Sequence, residues 1–192
     1  LEGFSDPDSF SSWAELLGEV EFDVYDSAFP MCYSWGQAAA LVETRQSPRF
    51  GVGMFRHFAS AEDFETKLEV CARALTFVER LQRQELATAT LVVSSYVKLA
   101  QAIWVVTDLF AHADLTSPAN QDLLRAKLGE LESAGRANVT AIHGWRSSLG
   151  PEPWHHRVHD AIAATESTVL RISNHIRDGS QALFFKENRT PF

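Results

Sequence analysis

Apolar positions recur with helical spacing along most of the chain. Between Ala61 and Arg83, the residues Phe64, Leu68, Cys71, Leu75 and Val78 follow one another at alternating steps of four and three, while Glu65, Glu69, Arg73 and Arg80 fall on other faces. That pattern predicts one amphipathic helix. Ser60 with Asp63 three residues later resembles a capping box in which Asp replaces the usual Glu, so the helix is expected to open there. From Leu86 to His112 the pattern changes in kind. Val92, Val93, Tyr96, Val97, Leu99, Ile103, Trp104, Val106 and Phe110 leave almost no polar face, and the stretch is interrupted by Lys98, Gln101 and Asp108. A membrane-spanning helix needs about 20 predominantly apolar residues with few or no charges. A central helix buried on most sides fits this stretch better, after a turn near Gln84 that no glycine or proline marks.

Thr116, Ser117 and Pro118 predict a stop and a fresh start, with Pro118 suited to a first helical turn. Leu124, Leu128, Leu131, Ile142 and Trp145 carry the next helix towards Ser148, and Gly150, Pro151 and Pro153 end it. A last helix is expected from about Trp154, with Val158, Ile162, Thr165, Val169, Ile172 and Ile176 in register and Gly179 as its stop. The N-terminal region is less regular. Phe10, Trp13, Leu17 and Val20 suggest a short helix after Pro7, and Pro30 opens a second that carries Trp35, Ala39 and Val42. The reading is an all-α single domain, a bundle of about four long helices with one or two short N-terminal helices. Residues 1–59 hold the short helices and a long loop, 60–179 the main bundle, and 180–192 a tail that packs on the body or on a partner.

Composition narrows the function classes. The 192 residues carry a net charge of −8, which argues against nonspecific binding to nucleic acid or to an anionic membrane. Two cysteines cannot frame a disulfide scaffold or a four-thiolate zinc site. No charged-then-apolar leader is visible, which points to the cytoplasm. Two Asn-x-Thr triplets, at Asn138 and Asn188, are read as chance rather than as glycosylation sites, because the first falls inside a helix and Pro191 follows the second.

Phosphate loops, nucleophile elbows and His-Glu-x-x-His zinc motifs are absent. The main anomaly is histidine placement. His143 lies near the end of one helix, and His155, His156 and His159 open the next, so a hairpin around Gly150 would gather all four at one end of the bundle. His155 and His159 stand four apart and share a helix face, the spacing at which two imidazoles can hold one metal, while Glu79 or Glu85 could add a carboxylate. Imidazoles with a carboxylate would suit zinc, iron or nickel. The His155–His159 pair resembles that of the DinB-like metal-binding bundles, a resemblance that implies a third histidine from an earlier helix, with His57 as candidate. A second stretch, Arg136-Ala-Asn-Val-Thr-Ala-Ile-His143-Gly144, resembles the Arg-x4–6-His motif of HEPN-domain ribonucleases. That resemblance implies metal-independent RNA cleavage by Arg136 and His143 in a dimeric bundle. Glu132, four residues before Arg136, equally offers it a plain surface ion pair.

Three further features carry chemistry. Asp108 and His112, four apart, could be a base with its orienter, or simply the polar end of a buried helix. Lys98 must snorkel, pair with a carboxylate or face a cavity, where Tyr96, Trp104 and Glu69 would be its neighbours. The connection from Gln46 to Ala59 holds Arg49, Phe50, Phe55, Arg56, His57 and Phe58, and is expected to act as a lid over an anionic or aromatic ligand. The leading expectation is therefore a bundle that binds, and with a metal's help transforms, a small and largely apolar molecule. Metal would be held by His143, His155 and His159, and ligand by Arg49, Phe55, Arg56, His57, Tyr96 and Trp104. The alternatives are the HEPN-like ribonuclease and a non-enzymatic homodimer.

Overall fold

The computed structural model describes the backbone of residues 6–25, 36–148 and 156–187, and the side chains of 6–20, 37–148 and 158–179. Among the described residues the chain is all helical, without a strand: α1 (Pro7–Tyr25), α2 (Gly36–Glu43), a 3₁₀ turn (Gly53–Phe55), α3 (Glu62–Leu81), α4 (Gln84–His112), α5 (Pro118–Ser148) and α6 (His156–Glu187). The all-α bundle is as expected, although α1, at 19 residues, nearly matches the 20 of α3.

Two of the helix boundaries show how local chemistry places them. At the start of α3, the Asp63 carboxylate accepts the Ala59 backbone N–H at 2.6 Å, one residue before the Ser60 N–H that the expected capping box would use. The forward half is not made, because the Ser60 hydroxyl bonds the Glu62 carboxylate instead and holds that acid below its usual range. The turn expected near Gln84 is made by Gln82, whose φ of 51° is left-handed and whose N–H bonds the Val78 carbonyl at 3.0 Å. Left-handed geometry usually falls to glycine or asparagine, which is why nothing in the sequence flagged the break. The expected stop at Gly179 is not used, and α6 runs on to Glu187.

α4 is the central helix. It packs on α3, α5, α1 and α2, and its Val92, Val93, Val97, Leu99, Ala100 and Ile103 are fully buried. By length and composition it could cross a membrane, but 56% of its apolar window is buried inside the bundle. Its neighbours are tied to it by specific bonds. Trp13 Nε1 of α1 donates to Thr90 Oγ1 at 2.9 Å, and Gln101 Nε2 donates to Glu65 of α3 at 2.7 Å. Arg45, in the turn after α2, gives guanidinium hydrogen bonds of 2.9–3.2 Å to the carbonyls of Phe110 and Ala113, and so caps the end of α4.

Helices α4, α5 and α6 share a buried polar node. Asn138 has no solvent exposure; its Nδ2 donates to Ser95 Oγ at 3.1 Å, and its Oδ1 accepts from Thr165 Oγ1 at 3.2 Å. The Ser95 hydroxyl in turn donates to the Val92 carbonyl at 2.9 Å. Burial of Asn138 leaves no room for a glycan on the first Asn-x-Thr triplet, while Asn188 lies outside the described residues. Near this node α5 and α6 come close at Gly135, where a Cβ would sit 3.0 Å from Val169 Cγ2.

Candidate functional sites

The antiparallel course of α3 to α6 brings the end of α5 to the start of α4, where Thr88 and Ser148 hydroxyls meet at 2.9 Å. His143 and His159 are both exposed on helix ends of this region. His155 lies outside the described residues, and among those described no group of three or more metal-ligating side chains is assembled. Glu85 is engaged by its neighbour Arg83, which holds its carboxyl below the usual range.

The Gln46–Ala59 connection is packed down, contrary to the expected mobile lid. Phe55 and Phe58 are each 1% exposed, Phe50 stacks on Trp104 at 3.6 Å, and Phe55 meets the same indole edge-on at 4.9 Å. Phe58 packs on Phe64 at 4.4 Å. Aromatic burial of this kind is core formation, and it fixes the loop through its own side chains. Left-handed Gly51 donates its N–H to the carbonyls of Phe55 and Phe58, at 3.1 and 3.0 Å, which closes the turn. Tyr96 is buried inside the bundle. The expected ligand cradle is thus already filled by its own rings. What remains beside it is a cavity of about 690 Å³ whose lining includes Leu41, Ser47, Arg49, Val52 and Phe55. Arg56 is exposed and His57 half-buried.

The Asp108–His112 pair forms, and it gains a partner the sequence did not suggest. His112 Nδ1 lies 2.9 Å from the Asp108 carbonyl oxygen and 3.4 Å from its carboxylate Oδ1. The other ring nitrogen, Nε2, lies 3.2 Å from Ser47 Oγ, contributed from 65 residues away. Lys98, by contrast, is exposed at the rim of a cavity of about 290 Å³ that it lines with Gln101, Lys127 and Glu130.

Between α5 and α6 runs a groove of about 490 Å³ that the sequence analysis did not single out. Its walls include Val139, Val169 and Leu170, the last 60% exposed. Arg136, Thr140, Glu132, Glu166 and Ser173 add polar groups. Glu166 is exposed on the same wall, and two of the other polar groups stand out. Ser173 is 1% exposed and its Oγ has no hydrogen-bond partner among the described residues. Arg136 is exposed, and the ion pair expected with Glu132 is not made, because Arg177 takes that carboxylate at 2.6 Å. The signal for Ser173 was its place between Ile172 and Ile176, a polar residue on the buried side of a helix. No protein-family model, curated protein or solved structure matches this chain.

Proposed function

We propose that the chain binds a small, largely apolar molecule that carries one anionic group, in the groove between α5 and α6. The observation that carries this reading is the pairing of apolar walls with a buried Ser173 hydroxyl and an exposed Arg136 guanidinium, neither of which has a partner among the described residues. Ligand sites are concave, mostly apolar and furnished with a few placed polar groups, and a volume near 490 Å³ falls in their usual range. A buried hydroxyl left without a partner costs about 1–3 kcal/mol, which a ligand acceptor would recover.

The test uses 1-anilinonaphthalene-8-sulfonate fluorescence, with decanoate and 1-decanol as competitors. Decanoate should displace the dye, Arg136→Gln should weaken decanoate about tenfold while sparing decanol, and Leu170→Glu should weaken both. Dye binding indifferent to both substitutions would end the proposal.

The exposure of Arg136 and His143, two turns apart on α5, equally supports the HEPN-like reading. Cleavage of single-stranded RNA that is lost in His143→Ala would favour it, against the −8 net charge. Metal assistance through His143, His155 and His159 is a separable proposal. It is supported by the exposure of His143 and His159 on α5 and α6, and is tested by elemental analysis of tag-free protein beside a His155→Ala, His159→Ala variant.

A further inference from the structure

The geometry points to a second, hydrolytic site formed by Ser47, His112 and Asp108, acting on a small carboxylic ester that bears a carboxylate group. It shares no residue with the α5–α6 groove and does not depend on that reading. The tautomer of His112 decides the chemistry. Both oxygens facing Nδ1, the Asp108 carbonyl at 2.9 Å and its carboxylate at 3.4 Å, can only accept. The neutral ring therefore carries its proton on Nδ1 and turns the Nε2 lone pair to Ser47 Oγ at 3.2 Å, and the serine hydroxyl must donate. A hydroxyl hydrogen-bonded to an imidazole that a third group orients is the arrangement of an activated nucleophile.

What lies beside the nucleophile supplies a place for substrate. Ser47 lines the 690 Å³ cavity together with Leu41, Val52 and Phe55, which offer apolar surface, and with Arg49. Among the described residues no carboxylate pairs with Arg49, so its guanidinium is free to receive one from a ligand. The Phe50–Trp104 stack braces the segment that carries Ser47 and Arg49 against α4. Preorganisation of that kind is what a catalytic constellation needs.

The reaction balances as an acyl transfer to water. The Ser47 oxygen forms a bond to the ester carbonyl carbon as its proton passes to His112 Nε2, and the carbonyl electron pair moves to oxygen. Collapse of the adduct breaks the bond to the alcohol, which leaves with the proton from Nε2. A solvent water then attacks the acyl-serine, gives a proton to Nε2, and releases the carboxylic acid as Ser47 regains its proton. Solvent reaches the site, because the side chains of His112 and Asp108 are 68% and 47% exposed.

The experiment treats the full chain with a fluorophosphonate and maps the modified peptide, then follows hydrolysis of mono-4-nitrophenyl glutarate and of 4-nitrophenyl butyrate. Wild type should carry the label on Ser47. The label should vanish in Ser47→Ala, and labelling and glutarate-ester hydrolysis should slow by about 100-fold or more in His112→Gln. His112→Asn serves as a second variant, and thermal melts check that all are folded. Arg49→Gln should lower the preference for the anionic over the neutral ester by about tenfold. Absence of label, label on another serine, or a labelling rate unchanged in both His112 variants would overturn the site. An ester preference that survives Arg49→Gln would overturn the assignment of the carboxylate-bearing substrate.

Discussion

Replacement of Asn138 by alanine should be among the most costly single changes away from the large core side chains. The substitution deletes both arms of the node, the 3.1 Å bond to Ser95 and the 3.2 Å bond from Thr165, at a position with no solvent exposure. Each such bond is worth about 1 kcal/mol net, and the void left by the carboxamide adds to the loss. The Ser95 hydroxyl keeps the Val92 carbonyl as acceptor, so it is not orphaned as a donor. The expected cost is about 2–3 kcal/mol, which for a chain of this length lowers the melting temperature by about 5–10 °C. Urea denaturation of Asn138→Ala, Ser95→Ala, Thr165→Val and the two double variants containing Asn138→Ala measures both the cost and the coupling. Contacting residues of one network should show interaction energies of about 0.5–3 kcal/mol. A loss below about 0.5 kcal/mol, or independence of Asn138 from both neighbours, would falsify the view that this node holds three helices together.

Gln82→Gly should stabilise the α3–α4 turn by about 1 kcal/mol, read as a higher urea midpoint, because φ of 51° is strained for glutamine and not for glycine. Arg45→Ala should cost about 1–3 kcal/mol through the loss of its bonds to Phe110 and Ala113, with amide exchange rising first in the last turn of α4. The Glu43 carboxyl is held below its ordinary value of 4.5, foremost by hydrogen bonds from Arg171 at 2.5 and 2.7 Å. A depressed acid stabilises the fold above its unfolded value and ceases to as pH falls through the folded one. The urea midpoints of wild type and Arg171→Gln should accordingly converge below about pH 4.5. Burial pushes the Cys71 thiol up to about 11, so in a Cys32→Ser background Ellman's reagent at pH 8 should react only after unfolding.

Helix identity was legible because the core is built from spaced apolar side chains, and Phe64, Cys71, Val78, Leu124, Leu131 and Ile176 are all buried at the positions their spacing indicates. Asn138 could have been found the same way: it stands seven residues after Leu131 and four before Ile142, on the stripe that faces the core. The turn at Gln82 was not legible in type, since an exposed glutamine carries no signal for the left-handed backbone it adopts there. Phe50, Phe55 and Phe58 were visible as an anomaly but misread. A loop carries such rings because they replace helical packing over Trp104 and Phe64. The contact of Ser47 with His112 spans 65 residues and depends on where α2 docks, which no local pattern encodes.

That docking has a consequence for how the protein comes off the ribosome. α2 lies near the N-terminus, yet it packs chiefly on α6, and Glu43 is clasped by Arg171 across 128 residues. Synthesis delivers the N-terminal helices first, at about 5–20 residues per second. The buried face of α2, made of Ala38, Ala39 and Val42, must therefore wait for α3, α4 and α5 to emerge before its main partner exists. Nascent chains arrested before α6 should hold α2 undocked and open to proteases, and the emergence of α6 becomes the moment at which the Glu43–Arg171 clasp can close.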